Sequence, residues 1–280
     1  MAIIGTGRRL PTLEAPQPCY TFPVTPDRAD QGGFLLAGQR VLVTGGSGGL
    51  GQGICAVVAR EGARVAFTWS GNEAGADTTR RLIEAAGVEC VAVQADLREP
   101  EAAARVVGAV ERAWDGIDVL VNNAGVSESV PFILLDDAEV RDVFEVNVLA
   151  PFRLCRAAVR GMIRRKYGRI VNISSIAGSR TIPGPAHYAA SKGAIDGLTR
   201  SLAHELGPYG VLVNAIAAGI FDSGLRSTIP EHHQKRYLDA CSVRRLGRPA
   251  ECGELVAWLA SNRNTYMNGE VLFLDGGTVA

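Results

Sequence analysis

The chain has 280 residues, enough for one large α/β domain with a well-buried core. Apolar residues make up 47% of it and charged residues 21%, a composition that excludes a largely disordered chain. The 29 basic residues balance the 29 acidic ones, so no overall charge draws the protein to nucleic acid or to an anionic membrane.

The compartment is predicted from three features of the sequence. No apolar run has the length needed to span a bilayer, and the N-terminus lacks the apolar region of a secretory signal. The six cysteines are scattered without a CxxC pair. We therefore expect a cytoplasmic protein with buried free thiols, and neither disulfides nor a metal site.

The first 37 residues differ from the rest of the chain. They contain five prolines and show neither a helical nor a strand period. We interpret residues 1–37 as an extended N-terminal arm and residues 38–280 as a single domain.

From residue 40, short apolar runs alternate with helical patterns. The predicted strands cover residues 40–44, 64–69, 90–94, 119–122, 169–174, 211–215 and 270–274. The first predicted helix follows a glycine-rich turn and ends at residue 61. The other predicted helices cover residues 75–86, 101–114, 136–164, 187–206 and 250–259. Continuous apolar strands that alternate with helices indicate parallel strands covered on both faces. The sequence thus predicts a single doubly wound, Rossmann-type α/β domain with a seven-stranded parallel sheet.

A glycine-rich turn from Thr44 to Gly51 leaves the first strand and opens the first helix. Glycines let the backbone approach a pyrophosphate closely, and a helix N-terminus offers free N–H groups and the positive end of its dipole. Glycines are also ordinary loop residues, but this position between strand and helix favours nucleotide binding.

The spacing of Gly45, Gly49 and Gly51 resembles the TGxxxGxG motif of the short-chain dehydrogenase/reductase family. Other strings that match the family follow in order: Asp96-Leu97, Asn122-Asn123-Ala124-Gly125, Asn147-Val148, Ser175, Tyr188-Ala189-Ala190-Ser191-Lys192, Val213-Asn214-Ala215-Ile216-Ala217-Ala218-Gly219, Leu246-Gly247-Arg248-Pro249 and Leu274-Asp275-Gly276-Gly277. Ala218 stands where the family has proline. The resemblance covers about residues 40–277 and leaves out the arm.

The resemblance implies a catalytic set of Asn147, Ser175, Tyr188 and Lys192 and no metal. Tyr188 would give a proton to the carbonyl oxygen while the cofactor supplies hydride, and Ser175 would hold that oxygen. Lys192 would lower the phenol pKa and bind the nicotinamide ribose, and Asn147 would position a water. Taken alone, a YxxxK string also fits a structural tyrosine with a solvated lysine, and Asn147 also fits a satisfied buried asparagine.

The resemblance also implies a cofactor-binding set. Its members are Gly45, Ser47, Gly48, Gly49, Leu50, Gly51, Trp69, Ser70, Asn72, Asp96, Leu97, Asn123, Ala124, Gly125, Tyr188, Lys192, Gly219, Ile220 and Ser223. Asp96 would bond the adenine amino group, although a helix N-cap is the alternative for it.

Cofactor preference depends on the end of the second strand. NAD enzymes commonly place an acidic residue there, whereas this chain has Trp69, followed by Ser70 and Asn72, which could bond a 2′-phosphate. Gly48 argues the other way, because many NADP-dependent members carry arginine at that position. We expect NADP (NADPH) rather than NAD.

The motifs resemble most closely the 3-oxoacyl-carrier-protein reductases, which reduce a 3-oxoacyl thioester to a secondary alcohol. An NAD-dependent dehydrogenase of a small secondary alcohol is the alternative. A non-catalytic nucleotide sensor would be expected to have lost Tyr188 or Lys192, and both are present. A dehydratase or epimerase usually has a larger C-terminal region. Residues 220–239 are predicted to form a mobile lid in which His232 and His233 are solvated.

Two partners follow from the resemblance. An acyl carrier protein would dock on the basic cluster of Arg164, Arg165, Lys166 and Arg169, although a cationic helix end explains the same residues. A second basic position is missing from residues 207–210. A homotetramer would form through the helices that carry Asn147 and Tyr188, with Phe152 and Cys155 partly interfacial, and through the last strand. The arm would then lie across a neighbouring subunit.

Overall fold

A computed structural model describes residues 33–179, 184–224 and 229–278. Its strands are β1 (Arg40–Val43), β2 (Arg64–Trp69), β3 (Cys90–Gln94), β4 (Val119–Asn122), β5 (Gly168–Ser175), β6 (Val211–Ala218) and β7 (Val271–Leu274). They pair in parallel in the order β3-β2-β1-β4-β5-β6-β7. The predicted seven-stranded, doubly wound sheet is confirmed.

The helices lie on both faces of this sheet. They are α1 (Gly49–Arg60), α2 (Glu73–Ala85), α3 (Ala102–Trp114), α4 (Asp137–Phe144), α5 (Ala150–Arg165), α6 (Ile176–Ser179), α7 (Ala186–Leu206), α8 (Glu231–Ala240) and α9 (Pro249–Ala260). One apolar layer packs α1 and α9 against the sheet, and the other packs α3 and α5. All eight residues of β5 and of β6 are buried, as expected for strands covered on both sides.

The helix predicted over residues 136–164 is divided in two. A π-helical segment, Glu145–Leu149, separates α4 from α5, and the Ala150 amide bonds the Glu145 carbonyl five residues back. Proline has no N–H and its ring collides with the carbonyl four residues earlier. Pro151 therefore prevents an α-helical bond to Asn147, and the chain accommodates one extra residue in this turn.

The predicted lid and the predicted arm lie partly outside the described residues. The predicted lid contains α8, and its residues 225–228 lie outside the described part of the chain. Residues 1–32 of the predicted arm, including Cys19, also lie outside it. The end of the arm is packed onto the domain, because Leu36 is wholly buried and its amide bonds the Glu61 carbonyl at 2.9 Å.

The five cysteines of the described residues are free thiols, and Cys90 alone among them is not fully buried. The expected interfacial position of Cys155 is wrong, because this side chain packs into the core of its own subunit and accepts a hydrogen bond from Asn122 at 3.4 Å. Within residues 33–179, 184–224 and 229–278, no helix combines the length and the apolar character needed to cross a bilayer.

A partly buried ion pair joins the start of β1 to the start of β4. The Arg40 guanidinium donates to both oxygens of Asp118, at 2.7 and 2.8 Å, and Arg165 lies 3.8 Å from the same carboxylate. Gly116, at φ +141, makes room for both arginines, because a Cβ there would lie 2.5 Å from Arg165 Nη1 and 3.1 Å from Arg40 Nη1. Burial alone would raise the pKa of Asp118, but the bonds from Arg40 and the charges of both arginines hold it below its usual value.

Asp118→Asn is expected to lower the free energy of unfolding by about 3 kcal/mol, because two guanidinium groups lose the carboxylate that they share. Urea denaturation at pH 7 measures this change. The same substitution at Asp137, which pairs with Arg141 on the exposed surface of α4, is the control and should cost about 1 kcal/mol or less. Equal losses in the two variants would contradict the importance of the Asp118 pair.

The contribution of Asp118 should also depend on pH. Its pKa is lower in the folded protein than in the unfolded chain, where a free aspartate has a value of about 3.9. The stabilisation is therefore present above that value and is lost as the pH falls through the folded pKa. The stability difference between the wild type and Asp118→Asn should shrink below about pH 4.

Candidate active site

The carboxyl ends of the central strands open into a cleft of about 1090 Å³. Predicted cofactor-binding residues that line it are Gly45, Ser47, Gly48, Gly49, Leu50, Gly51, Trp69, Ser70, Asp96, Leu97, Asn123, Ala124, Gly125, Tyr188, Lys192, Gly219, Ile220 and Ser223. Ser175 lines the same cleft, whereas Asn72 and Asn147 lie behind its lining. One continuous cavity thus brings together the phosphate turn and three of the four predicted catalytic residues.

The glycine turn has the geometry of a phosphate cradle. Gly45 has a φ of +67, and a Cβ on Gly51 would lie 2.2 Å from the Gly45 carbonyl oxygen. No side chain caps the N-terminus of α1, and no acidic residue occupies its first turn. The free amides and the positive end of the helix dipole therefore face the cleft without competition, which fits a dinucleotide pyrophosphate.

Hydrogen bonds tie this turn to the end of β4. The Thr44 hydroxyl accepts from the amides of Asn123 and Ala124, at 3.0 and 2.9 Å, and the Asn123 side chain donates to the Thr44 carbonyl at 2.8 Å. The Asn123 amide group also donates to the Gly45 carbonyl at 3.2 Å. The side chain of Asn123 is thus committed to holding the turn in place.

The nucleotide end of the cleft contains Trp69, Ser70 and Asp96. Asn72 caps α2 by accepting from the Gly75 amide, and it donates to the Ser47 carbonyl, with both distances 3.0 Å. The side chain of Asn72 thus already joins α2 to the phosphate turn, and its contact with a 2′-phosphate stays a prediction. An Asp96 carboxylate oxygen accepts from the Arg98 amide at 3.0 Å, which leaves its other oxygen for a ligand.

The reaction end of the cleft is formed by β5 and α7. Ser175 ends β5 and Tyr188 lies on α7, and both side chains line this end of the cleft. Lys192 lies one helical turn beyond Tyr188, where its ammonium donates to the Ile173 carbonyl at 2.8 Å, 5.7 Å from the centre of the phenol ring. The structure therefore places Ser175, Tyr188 and Lys192 together.

The electrostatics of this group differ from the expectation. Burial raises the pKa of Tyr188, and the hydrogen bond with Ser175 opposes that rise only in part. Burial also lowers the pKa of Lys192 to about 8, although the Asp196 carboxylate opposes it. Burial thus dominates the pKa of Tyr188 in this structure, and its expected lowering by Lys192 stays a prediction.

Asn147 organises the site from behind. Its side-chain oxygen accepts from the Val126 amide at 2.8 Å, and its nitrogen donates to the Val126 carbonyl at 2.9 Å and to the Ser191 hydroxyl at 3.1 Å. The amide group thus fixes the segment after β4 against α7. Because Pro151 has no N–H, the backbone carbonyl of Asn147 lacks its α-helical donor and can accept from another group.

The far wall of the cleft begins where β6 ends. Ala218, which replaces the family's proline, closes β6 in register with Ser175. At Gly219, a Cβ would lie 2.3 Å from the hydroxyl of Tyr237, which is buried on α8 and donates to the Asp275 carbonyl at 2.8 Å. Glycine at this position therefore lets α8 approach the cleft closely.

A family model described as enoyl-(acyl carrier protein) reductase matches residues 45–279, from the phosphate turn to the last strand. The chain belongs to the short-chain dehydrogenase/reductase family. It is accordingly an NAD(P)-dependent oxidoreductase.

Individual relatives support the same family membership. The chain is 34% identical over 244 residues to nodulation protein G of Rhizobium sp. (strain N33), covering 87% of this chain and 98% of that one. It is 34% identical over 242 residues to a 3-oxoacyl-(acyl carrier protein) reductase of Vibrio cholerae, covering 86% and 98%. A short-chain dehydrogenase/reductase mutant of Serratia marcescens has a TM-score of 0.82 at 32% identity, covering 87% and 98%.

Sequence reasoning missed several residues of this short-chain dehydrogenase/reductase. The glycine motif includes Thr44 without indicating that its hydroxyl joins the two strand ends that form the turn. The apolar pattern of α8 is too weak to predict a helix, so the sequence does not indicate the approach of Tyr237 to Gly219. His232, His233 and Arg236 of the same helix also line the cleft.

Proposed function

We propose that the protein reduces a ketone, a 3-oxoacyl thioester or a related carbonyl, to a secondary alcohol with NADPH. The observation that carries this proposal is the grouping of Ser175, Tyr188 and Lys192 at one end of the cleft, with an uncapped helix N-terminus at the other. The 3-oxoacyl-(acyl carrier protein) reductase of Vibrio cholerae, to which the chain is 34% identical, supports the same reaction class.

The proposed mechanism gives each residue a distinct task. The bound cofactor supplies a hydride to the carbonyl carbon. The Ser175 hydroxyl hydrogen-bonds the carbonyl oxygen and orients it, and Tyr188 donates its phenolic proton to that oxygen as negative charge develops. Lys192 binds the ribose hydroxyls and leads the replacement proton toward Tyr188, and the carbonyl of Asn147 holds a water at the start of that route.

The raised pKa of Tyr188 favours the reductive direction. Burial disfavours the charged phenolate, so Tyr188 keeps its proton, which is the form that a proton donor needs. Alcohol oxidation requires the phenolate and therefore a higher pH. The protonated phenol is compatible with the proposed ketone reduction.

Tyr188→Phe is expected to lower kcat by about 10²- to 10⁴-fold, because it removes the proton donor and little else. NADPH absorbance loss measures turnover, and fluorescence titration should show nearly unchanged NADPH binding. Tyr266→Phe makes the same change at a fully solvated tyrosine and should leave both quantities at their wild-type values. Near-normal turnover by Tyr188→Phe would refute the assignment, and Lys192→Ala should impair both turnover and binding.

We propose NADP rather than NAD as the cofactor. Trp69 ends β2 and lines the cleft where an acidic residue would repel a 2′-phosphate. The exposed Ser70 follows it in the same lining and offers a hydroxyl to that phosphate. Gly48 has ordinary helix-cap dihedral angles and an open side-chain direction, since a Cβ would meet only the Gly45 carbonyl, at 3.6 Å.

The wild type is expected to bind NADPH more tightly than NADH, and Trp69→Asp should erase or reverse this preference through charge repulsion. Gly48→Arg adds a guanidinium in open space and should tighten NADPH binding by about tenfold without affecting NADH to the same extent. Titration of both cofactors against the three proteins tests this. A wild type that prefers NADH would refute the proposal and support the alternative alcohol dehydrogenase.

An acyl carrier protein remains a proposed partner with a smaller docking surface than the sequence suggested. Arg169 is buried and donates to the Gly168 and Asn264 carbonyls, and Arg165 is held at Asp118. Of the predicted basic cluster, only Arg164 and Lys166 are exposed. Two exposed cations at a helix end also stabilise its dipole without a partner, so we place carrier-free thioesters among the substrates as well.

We also propose a cytoplasmic homotetramer. The described thiols are free, as expected in a reducing compartment. Leu149 directly precedes α5 and is 43% exposed, and Phe152 in the first turn of α5 is 49% exposed. Phe273 on the edge strand β7 is 39% exposed. Association between copies would cover these apolar side chains.

Sedimentation of the full-length protein is expected to show a tetramer. Phe152→Glu should shift it to smaller species, because a charge would be buried between the helices. Leu82→Glu changes an apolar side chain on α2 with a similar exposure, 42%, and should leave the assembly intact. A monomeric wild type would contradict the proposal, and so would a loss of assembly that is the same in both variants.

A further inference from the structure

One face of α8 forms part of the cleft wall on the substrate side. The residues of this helix that line the cleft are His232, His233, Arg236, Tyr237 and Ala240. Positions 232, 236 and 240 are four residues apart, and 233 and 237 lie beside them, so all five side chains are on one face of the helix. The carboxylates of α8, Glu231 and Asp239, are exposed and do not belong to the cleft lining.

This face is fixed close to the reacting groups. Tyr237 is buried in a small apolar cluster with Ile176 and Cys241, and Ile176 directly follows Ser175. The hydroxyl of Tyr237 is bonded to the Asp275 carbonyl and lies against Gly219. This packing fixes the backbone of α8 next to the catalytic serine, and from that backbone the exposed side chain of Arg236 reaches the cleft lining.

The charges along the cleft are uneven. At the nucleotide end, Arg98 is paired with Asp142 at 2.5 Å and lies 3.4 Å from Asp96. At the reaction end, Lys192 is buried on the Ile173 carbonyl. The Arg236 guanidinium makes no ion pair or hydrogen bond with any described residue, and Asp96 is the one carboxylate among the described residues of the cleft lining.

A guanidinium that faces a cavity without a counterion is suited to bind an oxyanion, since its planar N–H groups match a carboxylate or a phosphate. The rings of His232 and His233 lie 4.1 Å apart on the same face and add N–H donors. Lys192 already has its own position at the phenol, so Arg236 is free to bind a group distant from the reacting carbonyl.

We propose that Arg236, together with His232 and His233, binds an anionic group of the substrate and makes the enzyme selective for carbonyl compounds that carry one. This inference rests on the proposed ketone reduction and specifies its substrate class. The oxyanion could be a carboxylate on the oxo acid itself or a phosphate on the thioester arm. Binding energy from such a remote group raises kcat/KM for the substrates that have it.

Two substrate pairs that differ only in the anion separate these sources. Acetoacetate and its neutral ethyl ester form the carboxylate pair, and acetoacetyl phosphopantetheine and acetoacetyl pantetheine form the phosphate pair. Initial rates with NADPH give kcat/KM for each compound. The wild type is expected to prefer the anionic member of one pair by about tenfold, and the pair that shows the preference identifies the anion.

The variants then assign that preference to a residue. Arg236→Gln should bring the anionic-to-neutral ratio close to one, and Arg236→Lys should retain part of it, because the charge remains but the fork of donors is lost. Lys235→Gln removes an exposed cation next in sequence that is outside the cleft lining, and its ratio should equal that of the wild type.

The outcomes distinguish this inference from the function on which it rests. Turnover of the neutral compounds with ratios near one in the wild type would overturn the anion site and leave the ketone reductase standing. A preference that survives in Arg236→Gln, or that is lost equally in Lys235→Gln, would overturn the assignment to Arg236. Failure of the wild type to reduce any of the four compounds would count against both proposals.

Discussion

The hydrogen bonds between the ends of β1 and β4 are the contacts on which the rest of the site depends. The chain leaves β1 toward the face covered by α1 and α9, and it leaves β4 toward the face covered by α3 and α5. Two neighbouring strands whose connections diverge in this way leave a crevice at their carboxyl ends. The Thr44 hydroxyl and the Asn123 amide close the base of that crevice, so the glycine turn has a fixed floor.

Buried hydrogen bonds also fix the strand ends at the reaction end of the cleft. The Asn172 side chain accepts from Asn122 and donates to Thr199, both at 2.8 Å, and thereby joins β4, β5 and α7 through buried amides. The Ser174 hydroxyl bonds the Lys192 carbonyl at 3.3 Å. Because α7 carries both Tyr188 and Lys192, these few bonds determine how far the phenol and the ammonium lie from Ser175. Their positions are thus fixed by the sheet rather than by loops.

Much of the fold could be predicted from the sequence, because the strands are short apolar runs bounded by polar residues. β2, β3 and β4 begin and end at the predicted residues. The linear motifs likewise predicted the phosphate turn, Asp96, Asn123 and Ser175 in the cleft lining, because these residues end or follow strands and strand ends meet at one edge of a parallel sheet.

The features that could not be predicted depend on packing in three dimensions. Arg165 and Arg169 look like members of an exposed basic cluster, but the structure uses them as partners of Asp118 and of backbone carbonyls. The pKa of Tyr188 is set by how much water surrounds the phenol, which spacing does not reveal. α8 has few apolar residues of its own and is held through Tyr237, whose partners are distant in the sequence.

The extra residue in the π-helical segment Glu145–Leu149 has a consequence for how this region can change by insertion or deletion. One residue corresponds to about 100° of rotation around a helix axis. Deleting a single residue there would remove the π-helical turn and rotate α4 by that angle relative to α5. Val143, which is buried on α4, would then rotate out of its pocket, and the Asn147 side chain would lose its hydrogen bond with the Val126 amide. Length in this stretch is therefore constrained as strictly as residue identity, although no residue of α4 belongs to the catalytic set.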